Sequence, residues 1–130
     1  MKGKTFLAKD VGMVTKRASL DYDKIVLWGH GLGGITAISA GIRDKRISAM
    51  ISLDPWMFPC QDDVPQMIKG LTGKQKPIQI ISTEKFNSYE SDTKTRSDKS
   101  QLETLEEFVE GAKDKTKIEH VIEKGLGHFN

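Results

Sequence analysis

Apolar residues in this chain gather into short runs that alternate with segments whose apolar positions recur at helical spacing. The runs are Lys24-Ile-Val-Leu-Trp28, Ser48-Ala-Met-Ile-Ser-Leu53, Pro77-Ile-Gln-Ile-Ile-Ser82 and Lys117-Ile-Glu-His-Val-Ile122. Continuous apolar stretches of this length, bounded by polar or glycine-bearing turns, predict buried parallel strands. Between the first two, Ile35, Ile38 and Ile42 repeat at helical spacing, with Ala37 and Ala40 as small neighbours. Gln101 to Lys113 predicts a second helix, placing Leu102, Leu105, Phe108, Val109 and Ala112 on one face, with Gly111 at a fraying end. Thr5 to Ala18 carries Leu7, Val11 and Val14 on one face and predicts a further amphipathic helix, which Gly12 weakens.

The remaining stretches are polar. Trp56 to Gly73 is punctuated by proline and predicts a loop with a short helical turn over Val64 to Lys69. Asn87 to Lys99, rich in Ser, Thr, Asp and Lys, predicts an exposed loop. The resulting order, α-β-α-β-loop-β-α-β, predicts an α/β fold: a mainly parallel sheet of about four strands with helices on both faces.

The connection after the first strand is dense in glycine: Gly29-His30-Gly31-Leu32-Gly33-Gly34. Two strand–turn–helix devices fit it. Gly29, Gly31 and Gly34 satisfy the dinucleotide fingerprint G-x-G-x-x-G, with Asp54 about 20 residues on as a ribose-binding acid. Gly29-His30-Gly31-Leu32-Gly33 also has the outline of the nucleophile elbow G-x-S-x-G, with glycine in place of serine. His30 reads more readily as a structural hydrogen-bonding residue than as a ligand.

Composition narrows the classes. A chain of 130 residues makes one domain, and its net charge of +2 comes from interspersed charges of both signs. No basic tract with interleaved aromatics supports nucleic-acid binding. A single cysteine, Cys60, forms no internal disulfide and favours a reducing, intracellular and cytoplasmic setting. No apolar run reaches the length of a membrane span.

In a parallel sheet, functional residues collect beyond the carboxyl ends of the strands. Here those points are the elbow, Asp54 after Leu53, and His128 after the last strand. Nucleophile, acid, histidine is the chain order of the α/β-hydrolase triad. The dinucleotide reading leaves His128 without a role.

Four blocks then carry a resemblance: GHGLGG at the elbow, LDPWMFP over Leu53 to Pro59, STEKF over Ser82 to Phe86, and GLGHFN at the end. In this order and at similar spacing, from about Asp23 to Asn130, they resemble the platelet-activating factor acetylhydrolase family. That resemblance implies an α/β-hydrolase that cleaves short or oxidised sn-2 acyl chains from phospholipids, with no cofactor and no metal. It assigns Asp54 as triad acid, His128 as triad base, the Leu32 backbone N–H as an oxyanion donor, and Trp56 with Phe58 as the border of the acyl site. It also places Gly31 at the nucleophile position, where the serine is missing, and neither Cys60 nor Ser82 lies on the elbow to replace it.

The expected function is therefore a catalytically inactive homologue, a structural or binding subunit of a larger assembly. The alternatives are an active phospholipid or short-chain ester hydrolase and a dinucleotide-binding module. Set against the family, the domain over 1–130 corresponds to the C-terminal part of the fold, without the front strands and the final helix. The expected partners are other protein chains that complete the sheet, and a phospholipid, but not nucleic acid.

Overall fold

The structure is a computed structural model that describes residues 21–73, 75–91 and 99–128. The predicted helix over Thr5 to Ala18 and the stretch Lys94 to Asp98 lie outside the described residues. Four strands form one sheet in the order β1-β2-β3-β4: β1 (Ile25–His30), β2 (Ile47–Leu53), β3 (Ile78–Thr83) and β4 (Ile118–Glu123). Every neighbouring pair is parallel, as continuous apolar runs separated by crossovers demand.

Helix α1 (Leu32–Arg43) returns the chain from β1 to β2. Residues 58–63 form a 3-10 turn and lead into α2 (Val64–Gly70), the short helix expected in that loop. Helix α3 (Glu84–Ser91) follows β3, and α4 (Gln101–Ala112) precedes β4. The predicted loop from Asn87 is thus helical as far as Ser91. Its polar composition obscured a helix that opens with an acidic residue, Glu84, at the favourable end of the helix dipole.

One face of the sheet builds the core. Met50 pairs in register with Leu27 and Ile78, and Ile80 with Ser52. These side chains pack with Ile35, Ile38 and Ile42 from α1, Val64 and Met67 from α2, and Leu105, Phe108 and Ala112 from α4. The alternate residues line the opposite face, where Val26 is 51% and Trp28 68% exposed.

Close helix–sheet approach depends on glycine at particular places. A Cβ on Gly41 would lie 2.2 Å from Met50 Sδ, so Gly41, not the exposed Ala40, is the small residue that admits the sheet. Gly111 has a similar role: a Cβ there would sit 2.5 Å from Ile68 Cδ1. It is the penultimate residue of α4, near the end the sequence predicted, and there it permits contact with α2.

Helix α4 starts with a full capping box. The Ser100 hydroxyl accepts from the Glu103 N–H, and the Glu103 carboxylate accepts from the Ser100 N–H. Two polar residues share its buried face, Gln101 and Thr104, among the expected apolar ones. Gln101 is 0% exposed; its Nε2 donates to Pro55 O at 2.6 Å, and its Oε1 accepts from Met57 N at 2.6 Å. This clamps the segment just after β2.

Candidate functional site

The site lies where β1, β2 and β3 end. Leaving β1, the chain reaches Gly31 at φ 57° and ψ −121°, a region open almost exclusively to glycine. Helix α1 begins at the next residue. Gly31 is tied to two neighbours: its N–H donates to Leu53 O at 2.9 Å, and its carbonyl accepts from Trp56 N at 3.0 Å. A Cβ on Gly29 would lie 2.0 Å from Gly33 O, so the turn closes tightly upon itself. Strand, sharp turn and helix follow one another in the outline expected of a nucleophile elbow.

Asp54 follows β2 directly and is 2% exposed. Its φ of 40° is unusual for a non-glycine residue, and hydrogen bonds on both carboxylate oxygens hold it there. Oδ1 accepts from Thr83 N at 2.6 Å, and Oδ2 accepts from Thr83 Oγ1 at 2.9 Å. The carboxylate is thereby clamped to the end of β3.

His128 comes from the segment after β4. Its Nδ1 lies 3.0 Å from Asp54 Oδ2. The other edge of the ring faces the elbow: Nε2 is 3.2 Å from the point where a Gly31 side chain would begin. Phe86 stacks on the imidazole with centroids 4.4 Å apart and planes 18° from parallel. His30 meets it as well, with ring centroids 4.1 Å apart and Nε2 at 3.2 Å from His128 Nδ1. The imidazole contacts two rings and is oriented by one carboxylate.

The three residues expected to form a triad therefore lie together, with His128 between Asp54 and Gly31. Leu32 is the first residue of α1, so its N–H belongs to the orphan donors of a helix N-terminus. Trp56 and Phe58 lie with ring centroids 6.1 Å apart, and the Trp56 backbone is bonded to the elbow carbonyl. They form an apolar pair beside the turn.

Neither residue considered as a substitute nucleophile reaches the elbow. Cys60 sits in the 3-10 turn, and burial, reinforced by the negative charge of Asp63, pushes its thiol pKa up, away from the reactive thiolate. Ser82 is fully buried and hydrogen-bonded to His120 Nε2 at 2.9 Å. Asp54, which the dinucleotide reading needs at a ribose, is enclosed and bonded to Thr83 and His128.

Three site residues were not assigned as such from sequence: His30, Thr83 and Phe86. Thr83 and Phe86 belong to the STEKF block, whose place directly after a strand was the available signal. His30 was read as a structural hydrogen-bonding residue, and it does bond, to the imidazole itself.

The chain has recognisable relatives. The family described as platelet-activating factor acetylhydrolase, isoform II, matches residues 2–123. A platelet-activating factor acetylhydrolase from Cavia porcellus is 34% identical over 114 residues, covering 88% of this chain and 22% of that protein. One from Bos taurus is 40% identical over 68 residues, 52% of this chain and 14% of that protein. A 1-acylglycerol-3-phosphate O-acyltransferase ABHD5 from Sus scrofa is 34% identical over 65 residues, 49% of this chain and 17% of that protein. The chain thus spans about a fifth or less of the length of these relatives. No solved structure matches it significantly. Among the described residues, no helix is long and apolar enough to cross a membrane.

Proposed function

We propose that this chain, which belongs to the platelet-activating factor acetylhydrolase isoform II family, is a catalytically silent member that serves as a structural or binding subunit. The observation that carries this reading is the absence of any side chain on Gly31, at the point His128 Nε2 faces. A triad acts by passing the nucleophile's proton to the imidazole while an acyl-enzyme forms. With no Oγ, there is no proton to pass and no acyl-enzyme. Loss of the nucleophile in a serine hydrolase lowers turnover on the order of 10⁶-fold.

Glycine suits a retained but silent elbow. A residue with a Cβ at φ 57° and ψ −121° holds about 1–3 kcal/mol of backbone strain, which glycine avoids. Stability is favoured over activity at that position. Asp54 and His128 then act as structural partners that bind β2, β3 and the segment after β4 together.

In this reading the partner is another polypeptide, seated on the sheet face that carries Val26 and Trp28. Large exposed apolar side chains side by side on a strand favour association. The composition, with one cysteine, supports an intracellular and cytoplasmic site of action. Size-exclusion chromatography with light scattering tests the subunit role. Recovery in complexes larger than one chain is expected, whereas a soluble monomer with sharp thermal unfolding counts against it.

A second reading draws on the same geometry. In it His128 acts as general base toward a water, and the chain is a weak ester hydrolase acting on phospholipid or short-chain esters. A fluorophosphonate probe separates a serine nucleophile from both. The silent reading expects no labelling of the native chain, and labelling that disappears in His128→Ala would overturn it.

A further inference from the structure

Helices α1, α2 and α4 all pack on one face of the sheet. The register sets the centre of the other face: Trp28 beside Ile51, and Leu53 beside Ile81 and Val121. Trp28 is 68%, Val26 51% and Val121 36% exposed, while Ile51, Leu53 and Ile81 are half-buried. The strands carry carboxylates on this face only along β4, where Glu119 and Glu123 flank Val121 and Lys117 precedes them with the same alternation. An apolar centre with charge confined to one margin is the anatomy of an interface core and its rim.

We propose that this face is occupied by a second copy of the chain, stacked sheet on sheet about a twofold axis that crosses the strands. The proposal rests on the reading of the chain as a subunit and names its partner. Such a contact is isologous, so the face must complement itself. An axis passing between the row of Trp28 and Ile51 and the row of Leu53 and Ile81 overlaps the two faces most fully. It sets Ile51 against Leu53 of the second copy. On the β4 margin it sets Lys117 against Glu123 of the second copy, and symmetry repeats the pair.

The charges also exclude the other face-to-face arrangement. A twofold running along the strands would lay β1 over β4 and place Glu119 on Trp28, which share a row. That would bury a carboxylate against an apolar ring with no partner. The crossing axis leaves Glu119 at the rim. Six-residue strands at the usual rise, four abreast, give a patch of about 20 by 20 Å. That is small for a permanent interface, so the dimer is reversible, with Kd in the micromolar range.

Sedimentation velocity of the full chain across the micromolar range tests this, with a monomer–dimer equilibrium expected. Trp28→Glu should weaken the dimer by more than about 100-fold, as for a central aromatic anchor. Glu123→Lys should weaken it by about tenfold, because each reversal counts twice across the axis, and adding Lys117→Glu should restore it. All three residues are exposed, and circular dichroism checks that each variant is folded. A monomer throughout, a dimer undiminished in Trp28→Glu, or a charge swap without rescue overturns the proposal. A monomer that binds phosphatidylcholine vesicles and releases them in Trp28→Glu also overturns it, and assigns the face to a lipid surface. Association that persists in Trp28→Glu leaves the subunit reading standing on another surface, and ester hydrolysis by the same samples decides the silent-enzyme reading separately.

Discussion

His128 aims its Nε2 at the point, 3.2 Å away, where a side chain on Gly31 would begin. Residues 97 positions apart meet because Asp54 and Phe86 fix the imidazole while the elbow fixes the glycine. A serine introduced there would place a hydroxyl on an unfavourable backbone. Gly31→Ser should lower unfolding stability by about 1–3 kcal/mol, since a Cβ-bearing residue would adopt φ 57° and ψ −121°. Urea denaturation monitored by circular dichroism checks this, and an unchanged midpoint would mean that the turn relaxes away from the elbow conformation.

Asp54 is predicted to be a structural residue whatever the catalytic state. Asp54→Ala leaves the Thr83 N–H and hydroxyl without their acceptors and releases the imidazole. A fully buried abandoned donor costs about 1–3 kcal/mol, and these partly buried ones fall toward the lower end. Chemical denaturation should show a loss of about 1–3 kcal/mol, and the His128 ring resonances should broaden or average in NMR spectra. Asp54→Ala with native stability would show that the carboxylate does not hold these elements together.

Gln101 supports the site from α4. Its amide satisfies Pro55 O and Met57 N, on either side of Trp56. Gln101→Leu fills similar volume but leaves two backbone groups buried and unpaired. A destabilisation of about 1–3 kcal/mol per group is expected, with increased mobility of Trp56 in fluorescence anisotropy. Trp28→Phe in the background isolates that signal.

His120 supplies a pH dependence. Burial holds its pKa below the ordinary 6.5, opposed by the attraction of Glu106. Since the unfolded chain then binds the proton more readily, stability is fully present above about pH 6.5 and falls as pH drops through the depressed value. Thermal midpoints measured from pH 7.5 downward should decline in that window. His120→Gln should flatten the decline, and an equally steep slope in the variant would assign it elsewhere.

Strand positions and the elbow were legible because they depend on patterns local in sequence: apolar runs, helical spacing and a glycine-dense turn. The meeting of Asp54 and His128 was legible only through ordered blocks shared with a family, since neither residue has a local signature. The shell around them was not legible. Thr83 and Phe86 act through contacts 29 and 42 residues away in the chain, with Asp54 and His128 respectively. Gln101 was hidden by a helix face otherwise apolar in pattern, where a buried amide shows itself only once its backbone partners are placed. The helix over Glu84–Ser91 was missed because its polar composition resembles a loop and tertiary placement overrides weak propensity.

Hydrolysis of a short-chain p-nitrophenyl ester by native chain and by His128→Ala tests the central claim most directly. A silent elbow predicts that both turn over at the rate of buffer, because the base has no nucleophile to activate. Native turnover above background that is abolished in His128→Ala would contradict it.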